Sequence, residues 1–226
     1  MELFMRKGRG LVITPSGEIF LEYVCKILAF CEEARRALEP SSEPSGVLRI
    51  GAIETAATGR LPAVLSKFHQ DYPAVQMQFS TGTWQQLVSD VADHKLDGAI
   101  VATKSDHPDI SYLNIRRPPA TIDRVLRPGC PYRRALERWL YEHKIPADIT
   151  SIASYGTILG CVTAGAGVSL VPSRIFEQFK MIGDIRGYEF NELLPVQNYF
   201  IKNNAMGVHR AREAFETLLF NELGKI

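Results

Sequence analysis

The sequence predicts an α/β protein of two lobes preceded by a long dimerising helix, and three observations carry that prediction. Residues 14 to 38 form one amphipathic stretch with a coiled-coil stripe, a turn-rich segment ends it, and from Val47 onward strand-like and helix-like patterns alternate to the C-terminus. Such alternation joins parallel strands through helical crossovers. The sheet is therefore expected to be largely parallel.

Residues 1 to 13 read as two short extended pieces joined by a tight turn at Gly8-Arg9-Gly10, with Arg6, Lys7 and Arg9 making the segment basic. A helix follows. Thr14 suits its cap, Pro15 its first position, and Glu18 puts a carboxylate in the first turn, where free amides favour negative charge. Apolar residues then recur at Phe20, Val24, Ile27, Cys31, Ala34 and Leu38, spaced to hold one seam along an underwound helix so that two copies pack side by side. Glu22, Lys26, Glu32, Glu33, Arg35 and Arg36 lie off that seam. The helix ends by Pro40, and Ser41-Ser42-Glu43-Pro44-Ser45-Gly46 is a linker.

In the domain that follows, strands are expected at Val47 to Ala52, Val75 to Ser80 and Gly98 to Ala102, with helices at Thr58 to Tyr72 and Trp84 to His94. The same grammar resumes with helices at Pro131 to His143, Thr157 to Ala164 and Ser173 to Phe179, strands at Ile149 to Ala153, Gly167 to Val171 and Tyr199 to Lys202, and a terminal helix from Val208 to Leu223. Residues 196 to 201 are expected to return the chain across the domain toward that helix. No repeat of solenoid period and no low-complexity tract interrupts the pattern.

Composition sets outer bounds. The 226 residues are 46% apolar and 23% charged, with net charge +1, as in a globular protein without a whole-chain field for nucleic acid. No apolar run approaches the roughly 18 to 20 residues that span a bilayer, and the basic start leads into a polar turn rather than a signal-peptide core. A cytoplasmic location without membrane contact is expected. Cys25, Cys31, Cys130 and Cys161 lack metal-ligand spacing, so no metal or cofactor is expected. Cys130, ahead of a helix, fits a small pocket residue better than a redox thiol. Arg133, Arg134 and Arg138 read as a solvated helix face, and Trp84 and Trp139 as packing residues. The five histidines begin no paired motif, and no nucleophile elbow, phosphate-cradling loop or dinucleotide fingerprint is present, so an enzyme is not expected. Gly165-Ala166-Gly167 precedes a strand, the wrong order for a dinucleotide turn.

Several motifs, in this order, resemble the LysR-type transcriptional regulators. Leu3-Phe4-Met5-Arg6, Gly8-Arg9-Gly10 and Thr14-Pro15-Ser16-Gly17-Glu18 are similar to the end of that family's winged helix-turn-helix and the start of its linker helix. Gly46-Val47-Leu48-Arg49-Ile50-Gly51, Leu61-Pro62, Phe68, Tyr72-Pro73 and Leu96-Asp97-Gly98-Ala99-Ile100-Val101 resemble the first lobe of its effector domain. Residues 127 to 134 and 164 to 172 resemble the second. The resemblance implies a two-lobed, periplasmic-binding-protein-like effector domain over 46 to 226, with a lobe boundary near 103 to 124. It also implies a dimerising linker helix over 14 to 40 and a winged-helix remnant over 1 to 13.

Two departures temper the resemblance. The family's DNA-reading helices would precede residue 1, so this stretch of chain is expected to contact DNA through Arg6, Lys7 and Arg9 at most, and only at the backbone. Between Ile115 and Val125, about thirty family residues, a hinge strand, a helix and a strand, have no counterpart; Asn114 to Asp123 is expected to be a coil-like bridge, leaving the second lobe short of a sheet element.

In a parallel α/β fold, ligands bind beyond the carboxyl ends of the strands, near helix N-termini. Thr55 and Ala56 after the first strand, Thr81, Gly82 and Thr83 after the second, Ala102 after the third, and Gly129, Cys130, Tyr132 and Thr157 in the second lobe are the effector-binding candidates. Small hydroxyls and helix amides suit a small organic acid, although Glu54 would repel one unless it turns away or pairs. Ordinary helix capping is the bland alternative for each residue taken singly. The expected function is effector binding and dimerisation in transcriptional control, with self-association into dimers and the pairing of dimers into tetramers left open. The alternatives are a stand-alone binding protein that pairs with full-length regulators, and a decayed regulator.

Overall fold

The computed structural model describes residues 1–38, 43–59, 61–115, 121–122, 131–150, 152, 154–180, 185–189 and 197–223. The chain opens as an antiparallel hairpin of β1 (Phe4–Lys7) and β2 (Gly10–Ile13), turning at Gly8, whose φ of 65° a side chain would resist. Helix α1 (Pro15–Ala37) follows at once. Thr14 caps it: its Oγ1 accepts the Gly17 N–H at 3.0 Å and donates to the Glu2 carbonyl at 2.8 Å, which ties the helix start to the hairpin.

The first lobe runs β3 (Gly46–Ala52), α2 (Glu54–Gly59), α3 (Leu61–Asp71), β4 (Val75–Thr81), α4 (Trp84–Ala92), β5 (Gly98–Val101) and β6 (Ile110–Ile115). The second contains β7 (Thr121–Ile122), α5 (Pro131–Glu142), α6 (Tyr155–Thr163), α7 (Ser173–Phe179) and β8 (Tyr188–Glu189). The chain then returns to the first lobe as β9 (Asn198–Asn203) and α8 (Arg210–Leu223). The main sheet has the order β4-β3-β5-β9-β6.

Several expectations need correction. The helix expected from Thr58 to Tyr72 begins only at Leu61, as α3, and Thr58 and Gly59 instead end the separate short helix α2, which starts at Glu54. The strand β6 was not anticipated, and the sheet is mixed rather than largely parallel. β5 runs toward the edge that faces the second lobe; a chain coming back from that lobe starts at the same edge, so β9 must lie antiparallel to both β5 and β6. In the second lobe the strands expected at Ile149 to Ala153 and Gly167 to Val171 form no ladder among the described residues, although Ser169, Leu170 and Val171 are buried. A strand needs a paired neighbour, and the ladder described in this lobe is β7 with β8.

Apolar residues cover both faces of the main sheet. Leu48, Ile50, Phe68, Phe200 and Phe215 form one core with α3 and α8; Leu87, Val91, Ala99, Val101 and Ile201 form another beneath α4. The second lobe has its own core of Leu136, Leu140, Ile158, Leu159, Leu170, Ile175 and Phe176. Gly98 marks the tightest approach in the sheet: a Cβ there would lie 2.3 Å from the Phe200 ring.

Asp97, just before β5, fastens that strand's start to the middle of β3. Its Oδ2 accepts the Arg49 N–H at 2.7 Å, its own N–H donates to the Arg49 carbonyl at 2.9 Å, and His209 Nε2 lies 3.6 Å from the carboxylate. His209 in turn accepts the Arg212 N–H through Nδ1 at 3.2 Å, at the start of α8. Burial pushes the Asp97 carboxyl up, but the hydrogen bonds offered by His209 Nε2 and the Arg49 N–H outweigh it and hold the group below the usual carboxylate range.

Candidate functional site

Because β3, β4 and β5 are parallel, their carboxyl ends share one edge. Ala52 pairs with both Thr81 and Ile100, the Ile53 N–H donates to the Ile100 carbonyl at 3.0 Å, and the Gly82 N–H to Ala52 at 3.3 Å. The structure thus brings Thr55, Ala56, Thr81, Gly82, Thr83 and Ala102 to the same rim. Their roles there differ. Ala56 is part of the first core and is 3% exposed. Thr83 spends its Oγ1 on the Gln86 N–H at 3.3 Å as the cap of α4, the bland role considered for it. Thr81 is exposed and Gly82 and Ala102 half-buried.

Two polar atoms at this rim stand out. Thr55 Oγ1 and Trp84 Nε1 are buried without a hydrogen-bond partner. One can accept or donate and the other only donates. Leaving such a group dry and unpaired costs about 1 to 3 kcal/mol, so the rim is built with unused bonding capacity. Lys104, past Ala102, adds a cation: its Nζ sits 5.0 Å above the Tyr199 ring. The loop that carries it is pinned by Ser105, whose N–H and Oγ meet the Tyr112 hydroxyl at 3.1 and 2.7 Å. Neither Trp84 nor Lys104 was among the expected site residues. The signal that could have found Trp84 is its place directly after Thr81-Gly82-Thr83.

The second lobe meets this rim through α6. Its N-cap residue, Ser154, makes no side-chain cap bond. Instead the carboxylate of Glu54, from the first lobe, accepts the Tyr155 N–H at 3.2 Å. Glu54 therefore pairs, and its charge faces the positive end of a helix. Thr157, two residues further along α6, is exposed. Gly129 and Cys130 lie outside the described residues; Tyr132 belongs to α5, with its side chain outside the description.

The expected dimer seam lies open along α1. Ile27 is 57% and Leu38 84% exposed, Phe20, Cys31 and Ala34 are also exposed, and Val24 is half-buried. A different face of α1 rests on the first lobe: Lys26 Nζ lies 3.4 Å from Asp93 Oδ1, and the Phe30 ring packs against His94 at 5.0 Å. Arg6, Lys7 and Arg9 are exposed on the hairpin. Among the described residues no group of three or more His, Cys, Asp and Glu side chains is placed to hold a metal ion, and no helix is long and apolar enough to cross a membrane.

Comparison with known proteins fits this geometry. The profile of the LysR substrate binding domain family matches residues 41–122 and 124–219; the match divides within the 115-to-125 interval where a shortened bridge is expected. The regulator YusT of Bacillus subtilis is 35% identical over 85% of this chain and 71% of its own length. SoxR of an Arthrobacter species is 32% identical over 99% of this chain and 79% of its own, in an alignment of 241 positions, more than this chain has residues. GltR of B. subtilis is 33% identical over 96% and 80%. Among solved structures, full-length OxyR from Pseudomonas aeruginosa superposes with a TM-score of 0.72 at 17% identity over 96% of this chain and 78% of that one. The effector binding domain of QuiR in complex with shikimate gives 0.68 at 16% identity over 80% and 98%. YusT, SoxR and GltR are HTH-type transcriptional regulators. With the domain profile matched over most of its length, this chain belongs to the LysR family of transcriptional regulators and carries its effector-binding domain.

Proposed function

We propose that the chain senses a small organic anion at the rim between its lobes and presents the result through a dimer formed along α1. The observation that carries this reading is the pair of buried, unpartnered atoms Thr55 Oγ1 and Trp84 Nε1 at the carboxyl edge of the sheet, with the Lys104 ammonium on the same rim. Hydroxyl and indole N–H donors beside a cation suit a carboxylate with further oxygen groups. Glu54 does not oppose such a ligand, since its carboxylate is engaged with the start of α6. That the related effector domain of QuiR is seen with shikimate, a hydroxylated carboxylate, supports the same ligand class. A ligand that bridges the rim and α6 shifts the balance of lobe arrangements by its differential affinity for them.

The dimer reading rests on the apolar seam Phe20, Val24, Ile27, Cys31, Ala34 and Leu38, all exposed but the half-buried Val24. The exposed Arg6, Lys7 and Arg9 give the hairpin a phosphate-contacting role at most, with base reading left to helices of the family's helix-turn-helix.

The test is a thermal melt with a panel of hydroxylated and aromatic carboxylic acids. A ligand at a hundred times its Kd adds about 2.7 kcal/mol to stability. Thr55→Val should raise the melting temperature of the free protein slightly, because it removes an unpaired hydroxyl, and should weaken the shift given by the active acid. No shift with any acid, or an undiminished shift in Thr55→Val and Trp84→Phe alike, would overturn the reading.

A further inference from the structure

We propose that the second lobe holds a separate site for an uncharged aromatic molecule bearing one N–H or O–H donor, of the phenol and indole class. A cavity of about 330 Å³ opens between α5 and α6, within the range of small-molecule sites. Leu136 and Leu140 line one wall, Ile158 and Val162 the other, and Ile152 and Val168 close it. The lining gives an apolar body somewhere to go.

The polar groups at its margin fix the charge of the occupant. Arg133 Nε donates to Glu137 Oε1 at 2.6 Å, so the cation there is already matched by a carboxylate one turn along the same helix. Asp148 adds a further negative charge to the margin. A carboxylate ligand would meet net negative charge, and a cation would leave its water for leucine and isoleucine walls, which is costly. A neutral ring suffers neither penalty, and a single N–H or O–H on it can reach the carboxylate acceptors.

This cavity is distinct from the rim that carries the proposed anion site. The two use opposite ends of α6: Tyr155 at its start meets Glu54, whereas Cys161 and Val162, about 9 Å further along the axis, face the cavity. Cys161 is a free thiol and half-buried, so its reactivity reports whether the cavity is filled.

The experiment uses the full chain, indole and 2-naphthol as neutral probes, and benzoate as the charged control. N-ethylmaleimide labelling of each cysteine is followed by peptide mass mapping. At ten times its Kd a probe leaves about one site in eleven open, so Cys161 should label about tenfold more slowly, while Cys25 and Cys31 label at their former rates and benzoate leaves Cys161 unprotected. Val162→Trp, which fills the cavity from within, should abolish the rise in melting temperature given by the neutral probes; Leu136→Phe, a smaller intrusion, should reduce it and serves if the first variant does not fold. Failure of both probes to slow Cys161 up to their solubility limits would overturn the proposal. So would equal protection of Cys25, Cys31 and Cys161, protection by benzoate as strong as by indole, or a labelling rate that follows dilution of the protein, which would mean that a second copy fills the cavity.

Discussion

The Glu54 carboxylate of the first lobe caps the start of α6 in the second, 3.2 Å from the Tyr155 N–H, where the local N-cap residue Ser154 provides no side-chain bond. A helix end that depends on another lobe ties the spacing of the two lobes to the charge on one side chain. Substituting Glu54→Ala should cost about 1 kcal/mol, the usual value of an N-cap, and Glu54→Gln, which keeps an oxygen acceptor but loses the charge, should cost less. Small-angle scattering should also show a larger radius of gyration in Glu54→Ala. An unchanged melt and an unchanged radius would show that the contact contributes nothing.

The seam on α1 leads to a second expectation. A charge placed in an apolar coiled-coil seam must be desolvated or must separate the helices. Ile27→Glu should therefore convert dimers to monomers in sedimentation, at unchanged far-ultraviolet circular dichroism. Lys26→Ala, on the face that docks to Asp93, should leave the mass unchanged, since an exposed ion pair of this kind contributes about 1 kcal/mol or less.

Acid should weaken the first lobe through Asp97. Its carboxyl titrates lower in the folded protein than its ordinary value of 3.8, so the folded state gains stability from the ionised group above that value. The gain disappears as pH falls through the lower, native value. Asp97→Asn should lose about 3 kcal/mol at neutral pH, as breaking a buried charged contact does, and should flatten the acid limb of a urea-unfolding series. A parallel acid limb in mutant and wild type would assign the acid sensitivity to other carboxyls.

Gly98 and Phe200 offer a packing test. A Cβ at 98 lies inside the space of the Phe200 ring, so Gly98→Ala should destabilise by about 1 to 3 kcal/mol. Pairing it with Phe200→Leu should recover part of that loss. Full additivity of the two substitutions in a double-mutant cycle would deny the contact.

What the sequence disclosed and what it hid follow from the range of the interactions involved. The start of α1 was legible because Thr14, Pro15 and Glu18 act on their own neighbours, the strands β3 and β5 because buried parallel strands form short apolar runs, and the mostly exposed edge strand β4 because Val75, Met77 and Phe79 alternate with polar residues. β6 was hidden: Ile110 to Ile115 alternates poorly, and its partner among the described residues, β9, lies far along the chain. The break between α2 and α3 was also missed, although Gly59 and Pro62 flank it. At the site, the rim residues were legible from order alone, since parallel strands put their following loops together. Their division of labour was not: whether a threonine caps, like Thr83, or lies buried and unpaired, like Thr55, depends on packing. The partner of Glu54 lies 101 residues away, beyond any local pattern.

The return of the chain as β9 and α8 has a consequence for synthesis. Phe200 and Phe215 belong to the first core, so that core is incomplete while the ribosome is still making the second lobe. The residues that make up the second core, from Leu136 to Phe176, leave the exit tunnel earlier and can associate first. A stop codon near residue 197 would thus spare the later-numbered lobe and ruin the earlier one. The nascent first lobe, with the edge of β5 open, must wait for the final segment of its own chain and is the part of the protein for which a chaperone would have most use.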